Sequence, residues 1–99
     1  MKIEIDEKWT CEYDKASIRK LEEQGFNFKE LENKPFTLLS VMFYGSLLKN
    51  HPNITTAEAD KIYDEYGDQE LMKEIDTMFV EAAKVGDKKN PNAKWKKMS

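Results

Sequence analysis

The sequence predicts an α+β fold that is predominantly α-helical, an N-terminal β-hairpin packed on a small bundle of about four helices. Three observations carry this. KIEIDEKWTCEY places Ile3 and Ile5, then Trp9, Cys11 and Tyr13, at the two-residue period of half-buried strands. From Asp14 onward, apolar residues recur at intervals of three and four between helix start and stop signals. A chain of 99 residues supports one core only, because a domain this small buries about 60–65% of its unfolded surface.

In the hairpin, Asp6, Glu7 and Lys8 supply the turn. A lone hairpin is marginal in water, so its apolar face must lie on the helices. The first helix spans roughly residues 15 to 24. Asp14 is its N-cap, Ile18 and Leu21 share a face, and Gly25 follows Gln24 as a left-handed terminator. FNFKELENKP allows at most two further helical turns, with Phe26, Phe28 and Leu31 tucked under the body. Pro35 then opens the next helix, since the first helical position needs no amide hydrogen.

That helix is FTLLSVMFYGSLLKNHP, read as helical from about residue 35 to 50 and ended by Pro52. Thr37, Ser40 and Tyr44 make its narrow polar stripe; almost everything else is apolar, as in a buried helix. Gly45 costs about 1 kcal/mol relative to alanine, a loss that fits close approach of another backbone. TTAEADKIYDEYGD follows. Thr55 and Glu58 match the reciprocal capping box, Gly67 stops the helix after Tyr66, and Ala59, Ile62, Tyr63 and Tyr66 form the apolar face. Asp68 caps QELMKEIDTMFVEAAKVG, in which Leu71, Met72, Ile75, Met78, Phe79, Ala82 and Val85 keep helical spacing until Gly86. Residues 1–86 therefore read as a single globular domain. The segment DKKNPNAKWKKMS loses periodicity, and residues 87–99 read as a flexible basic tail.

Charge follows the same division. Residues 1–86 hold eleven Lys/Arg against eighteen Asp/Glu, while the tail holds five lysines against Asp87. The apolar run from Leu38 to Leu48 is too short for a bilayer, which takes roughly 20 apolar residues, so no membrane partner is expected. MKIEIDEKW has neither an apolar signal region nor a small-residue cleavage site, which points to the cytoplasm. The single Cys11 excludes an intramolecular disulfide and reads as a small buried thiol.

No catalytic, metal or cofactor constellation emerges, so the chain is not expected to be an enzyme. His51 is the only histidine and lies in KNHP at a helix end, where its ring would cap the last carbonyls of the central helix. Ser40 and Ser46 lack the context of an activated nucleophile. Asp60, Asp64, Glu65, Asp68 and Glu70 fail the twelve-residue calcium-loop order and read as solvated helix faces. Met42, Met72 and Met78 sit at core spacing. In the tail, Lys88, Lys89, Lys94, Lys96 and Lys97 surround Trp95, a composition able to contact phosphates or an acidic partner and to stack on a base. A solubilising end explains the same residues, and nucleic acid is the less favoured partner.

The order of these elements resembles the tail assembly chaperones of long-tailed phages and prophages. The resemblance lies in the opening KIEID and WTCEYD, in RKLEEQGFNF, and above all in YGSLLKNHPNITTAEA, and it covers roughly residues 1–86. It implies a non-enzymatic protein of the host bacterial cytoplasm, absent from the mature virion, that binds the tape measure protein and tail tube subunits during assembly. Members are commonly made also as a longer frameshifted form, and Lys88-Lys89 or Lys96-Lys97 are places where an adenine run could encode the slip.

Such a role needs an acidic body and a shallow apolar groove for a helix. The central helix holds more apolar surface than a domain of this size needs to bury. Phe43, Tyr44 and Leu47, with Tyr63 and Tyr66 nearby, are the candidate lining of such a groove, or of a homo-oligomer interface; that all five are core stays open. Two rival functions are a nucleic-acid accessory protein using the tail, and a small phage inhibitor of a host protein.

Overall fold

The computed structural model describes residues 1–84. It is a two-stranded antiparallel hairpin followed by five helices, the predicted α+β, mainly helical class. The tail read at residues 87–99 lies outside the described residues.

Strands β1 (Ile3–Ile5) and β2 (Trp9–Cys11) pair Ile3 with Cys11, Glu4 with Thr10 and Ile5 with Trp9. Ile3, Ile5, Trp9 and Cys11 therefore share one face, as the alternation requires. At the turn, Lys8 donates its amide to the carbonyl of Ile5, and Asp6 and Glu7 both take positive φ, 51° and 55°. Two left-handed residues give the turn the twist of its strands. Asp tolerates that conformation by local hydrogen bonding; Glu7 does so less readily.

Helix α1 (Lys15–Glu23) begins where the Asp14 carboxylate accepts the Ser17 amide at 2.8 Å. It ends in a Schellman motif: Gly25, at φ 94°, donates to Glu22, and Phe26 donates to Leu21. Helix α2 (Phe28–Leu31) is a single turn capped by Asn27. Phe26 and Phe28 are half-buried and Leu31 is buried, so this segment lies under the body as expected.

Helix α3 (Pro35–Leu47) is the hub, packed by β2, α1, α2, α4 (Thr56–Tyr66) and α5 (Gln69–Ala83). It stops three residues before the expected Asn50. The Leu48 amide tightens onto the Gly45 carbonyl and the His51 amide closes a turn on Leu47, which takes the chain out of the helix ahead of Pro52. Nor is α3 buried along its whole length. Residues 41–48 are continuously enclosed, but Phe36 in the first turn is 85% exposed.

The neighbour that makes glycine necessary at position 45 is not the expected backbone but two side chains. A Cβ there would collide with the Tyr13 hydroxyl and with Cδ1 of Leu21. Tyr13 reaches in to donate to the Met42 carbonyl at 2.6 Å, and one residue along, the Glu12 amide donates to the Ser46 carbonyl at 2.7 Å. These two bonds seat the chain leaving β2 on the C-terminal half of α3.

Helix α4 carries the predicted capping box, with Thr55 accepting the Glu58 amide and Glu58 accepting that of Thr55. The helix stops after Tyr66 at Gly67, as read from the sequence, with Gly67 at φ −73° and not in the left-handed region. Its lack of a side chain matters because a Cβ would run into the Tyr63 ring. Asp68 caps α5 by accepting the Leu71 amide at 2.7 Å. Met42, Met72 and Met78 are all core, as their spacing indicates.

Candidate functional site

The α4–α5 corner walls an open, mainly apolar concavity. Capping sets where each helix begins: the Thr55–Glu58 box for α4, Asp68 for α5. Gly67 lets the corner close onto the Tyr63 ring, whose other side meets Phe43 with ring centroids 5.5 Å apart. Held from both sides, Tyr63 becomes one wall of a pocket of about 530 Å³ whose lining includes Leu39 of α3 and Met72 of α5. Asp68 and Asp76 stand on its rim with Lys73.

Leu39 is the pocket's contact with α3. Phe36, Leu39 and Phe43 follow three-and-four spacing and share a stripe. Exposure falls along that stripe, from Phe36 at the free end through half-buried Leu39 to fully enclosed Phe43. The α4–α5 corner covers the middle of the stripe and leaves its first turn bare.

A second, smaller groove of about 270 Å³ lies on the other side of α3. It is lined by Thr37, Ser40 and Tyr44, the polar stripe read from the sequence, together with Phe26 and Thr56. The Tyr44 hydroxyl is engaged there, donating to Oε1 of Gln24 at 2.8 Å.

A family model described as domain of unknown function (DUF5055) matches residues 1–98. The chain belongs to the DUF5055 family. No curated protein and no solved structure matches it.

In this DUF5055 chain the five residues singled out from the sequence do not converge on one groove. Tyr63 lines the larger pocket and Phe43 backs it from the core, with no exposed surface. Leu47 is likewise wholly enclosed, so neither it nor Phe43 offers a surface in this conformation. Tyr44 belongs to the smaller groove. Tyr66 points to the hairpin instead, where its hydroxyl donates to Oδ2 of Asp6 at 3.1 Å; that carboxylate holds the phenol above its ordinary range. Lys88, Lys89, Lys94, Trp95, Lys96 and Lys97 lie outside the described residues.

The residues missed in the sequence are Phe36, Leu39 and Met72, with acidic Asp68 and Asp76 beside them. A signal for Phe36 existed, since the first turn of a helix whose neighbours enter later along it has nothing to pack on. The others needed the α4–α5 corner to be placed.

Groups able to do chemistry are occupied structurally. The His51 ring does not cap the carbonyls of α3; its Nε2 accepts the backbone amide of Thr10 at 3.0 Å, and the ring makes a T-shaped contact with Trp9 at 5.2 Å between centroids. The capping of α3 comes from the His51 backbone, donating to Leu47 at 2.8 Å. Burial pushes the Cys11 thiol up, away from its nucleophilic form, and pushes up the Tyr13 phenol too. Among the described residues no three His, Cys, Asp or Glu side chains converge as a metal site requires, and no helix is long and apolar enough to cross a membrane.

Proposed function

We propose that this DUF5055 chain is a phage tail assembly chaperone that acts by binding and carries out no chemical turnover. Its partner is the tape measure protein, with tail tube subunits as a second partner, in the host bacterial cytoplasm; the chain leaves before the virion matures. The observation that carries the reading is the pocket walled by Leu39, Tyr63 and Met72, open to solvent, with the bare Phe36 one helical turn before Leu39. A tape measure chain is long, helical and apolar-striped, and it aggregates unless those stripes are covered before the tube forms around it. A shallow groove that takes a helix by anchors at i, i+3, i+4 and i+7 covers such a stripe reversibly. The acidic surface of the body keeps the complex dispersed. The resemblance of YGSLLKNHPNITTAEA to the chaperone family supplies the identity of the partner.

The test is co-expression of the full chain with the tape measure protein of the same genome. The expected result is a soluble complex that co-purifies, with the tape measure chain insoluble when expressed alone. A tape measure chain that stays soluble without help, or that fails to co-purify, overturns the reading.

A further inference from the structure

The negative charge of the described body is not spread evenly. Residues 55–83, the α4–α5 pair, carry nine Asp/Glu against Lys61 and Lys73, whereas residues 1–54 carry nine Asp/Glu against eight Lys/Arg. Almost the whole excess therefore belongs to the two helices that wall the larger pocket. Two of those carboxylates, Asp68 and Asp76, stand on its rim with the single cation of Lys73, which leaves the rim net negative. Leu39, Tyr63 and Met72 make its apolar lining, and exposed Phe36 lies one turn before Leu39 on the same stripe of α3.

From this we infer that the surface takes an amphipathic helix of another polypeptide whose apolar stripe is flanked by lysine or arginine. The inference deepens the chaperone reading and rests on it for the existence of a partner, but it fixes the chemistry of that partner independently of any phage. Apolar anchors spaced at i and i+3 or i+4 match the separation between the Phe36 turn and the Leu39–Met72 floor. Cationic flanks meet Asp68 and Asp76, whose side chains keep part of their hydration at an open rim, so attraction is gained without the cost of burying a bare charge.

Two other occupants fit less well. A second copy would bring one α4–α5 pair against another of the same excess negative charge. The chain's own residues 87–99 have the complementary charge, but their large apolar residues, Trp95 and Met98, make a single i, i+3 pair, short of the i, i+3, i+4 and i+7 stripe of a groove-binding helix.

The experiment uses the full chain, isotopically labelled, and two designed helical peptides with identical apolar stripes, one flanked by lysines and the other by glutamates. The lysine peptide is expected to shift the amide resonances of Leu39, Tyr63, Met72 and Lys73, and the glutamate peptide to bind roughly tenfold more weakly or worse. Raising salt to about 0.5 M narrows that difference. Phe36→Ser, a surface change, weakens the lysine peptide by about tenfold, while Val80→Ser, at an exposed aliphatic of α5, leaves it unchanged. Asp76→Lys narrows or reverses the preference between the peptides. Equal binding of both peptides, shifts that map elsewhere, or no binding overturns the inference. So does movement of the same resonances on dilution, which would assign the surface to a second copy. Movement on Lys94→Gln/Lys96→Gln/Lys97→Gln without peptide would assign it to the chain's own end. Failure of the tape measure complex with success of the lysine peptide would sink the phage identity alone.

Discussion

The backbone amide of Thr10 in β2 donates to Nε2 of His51, forty-one residues later, at 3.0 Å. That bond makes the only histidine an acceptor and joins the hairpin to the turn that ends α3. Removing the acceptor by His51→Ala leaves a part-buried amide without a partner and removes the ring contact with Trp9, a loss of about 1–3 kcal/mol in urea unfolding. His51→Gln can restore an acceptor and is expected to lose less. Equal stability of His51→Ala and wild type would show that the bond is ornamental.

Gly45→Ala tests the side chains over α3. Alanine gains about 1 kcal/mol of helix propensity, yet its Cβ collides with the Tyr13 hydroxyl and Leu21. Overpacking of this kind costs about 1–3 kcal/mol, so a net loss is expected. Tyr13→Phe removes the colliding oxygen and should recover part of that loss, measured as a double-mutant cycle. Additive effects would contradict the geometry.

The hairpin turn holds Glu7 at φ 55°, a left-handed backbone that costs a side chain such as glutamate about 1 kcal/mol. Glu7→Gly, best combined with Asp6→Asn, is therefore expected to raise the melting temperature by a few degrees. An unchanged or lower value would mean that the extra freedom gained by the unfolded chain outweighs the relief.

Acid weakens the fold through the exit of β2. Hydrogen bonds from Lys49 and Asn50 hold the Glu12 carboxyl below its ordinary range, and the Ser17 amide does the same for Asp14. Lys49 lies 2.7 Å from Glu12 and 3.7 Å from Asp14. Because both folded values are depressed, the unfolded chain binds more protons as pH falls. Stability from these groups is thus complete above about pH 5 and declines below it, through the ordinary carboxylate range and down to the depressed values. Asp14→Ala costs about 1 kcal/mol at neutral pH, the loss of a helix cap, and flattens the acid limb. A variant with an unaltered acid limb would place the titration elsewhere.

Much of the fold was legible because it is locally encoded. The Thr55–Glu58 box, the Asp14 and Asp68 caps and the Schellman glycine each act within five residues, and all stand where the sequence puts them. What the sequence hid depends on distant partners. Gly45 carries no sign that Tyr13 will overlie it, and Gly67, which stops α4 as read, carries no sign that the Tyr63 ring will fill the place of its side chain. The candidate site suffered most from this. An apolar run in a helix does not say which of its turns will be covered: Phe43 and Leu47 are enclosed, whereas Phe36 is exposed and Leu39 lines the pocket.

The central claim is that the α3–α4–α5 surface is where a partner polypeptide sits. Amide hydrogen exchange of the full chain, alone and saturated with the tape measure protein, tests it most directly. The account predicts added protection in the first half of α3 and across the α4–α5 corner, around Leu39 and Tyr63 to Lys73, with the hairpin unchanged. Protection confined to the hairpin, or none at all in a complex known to form, would contradict it.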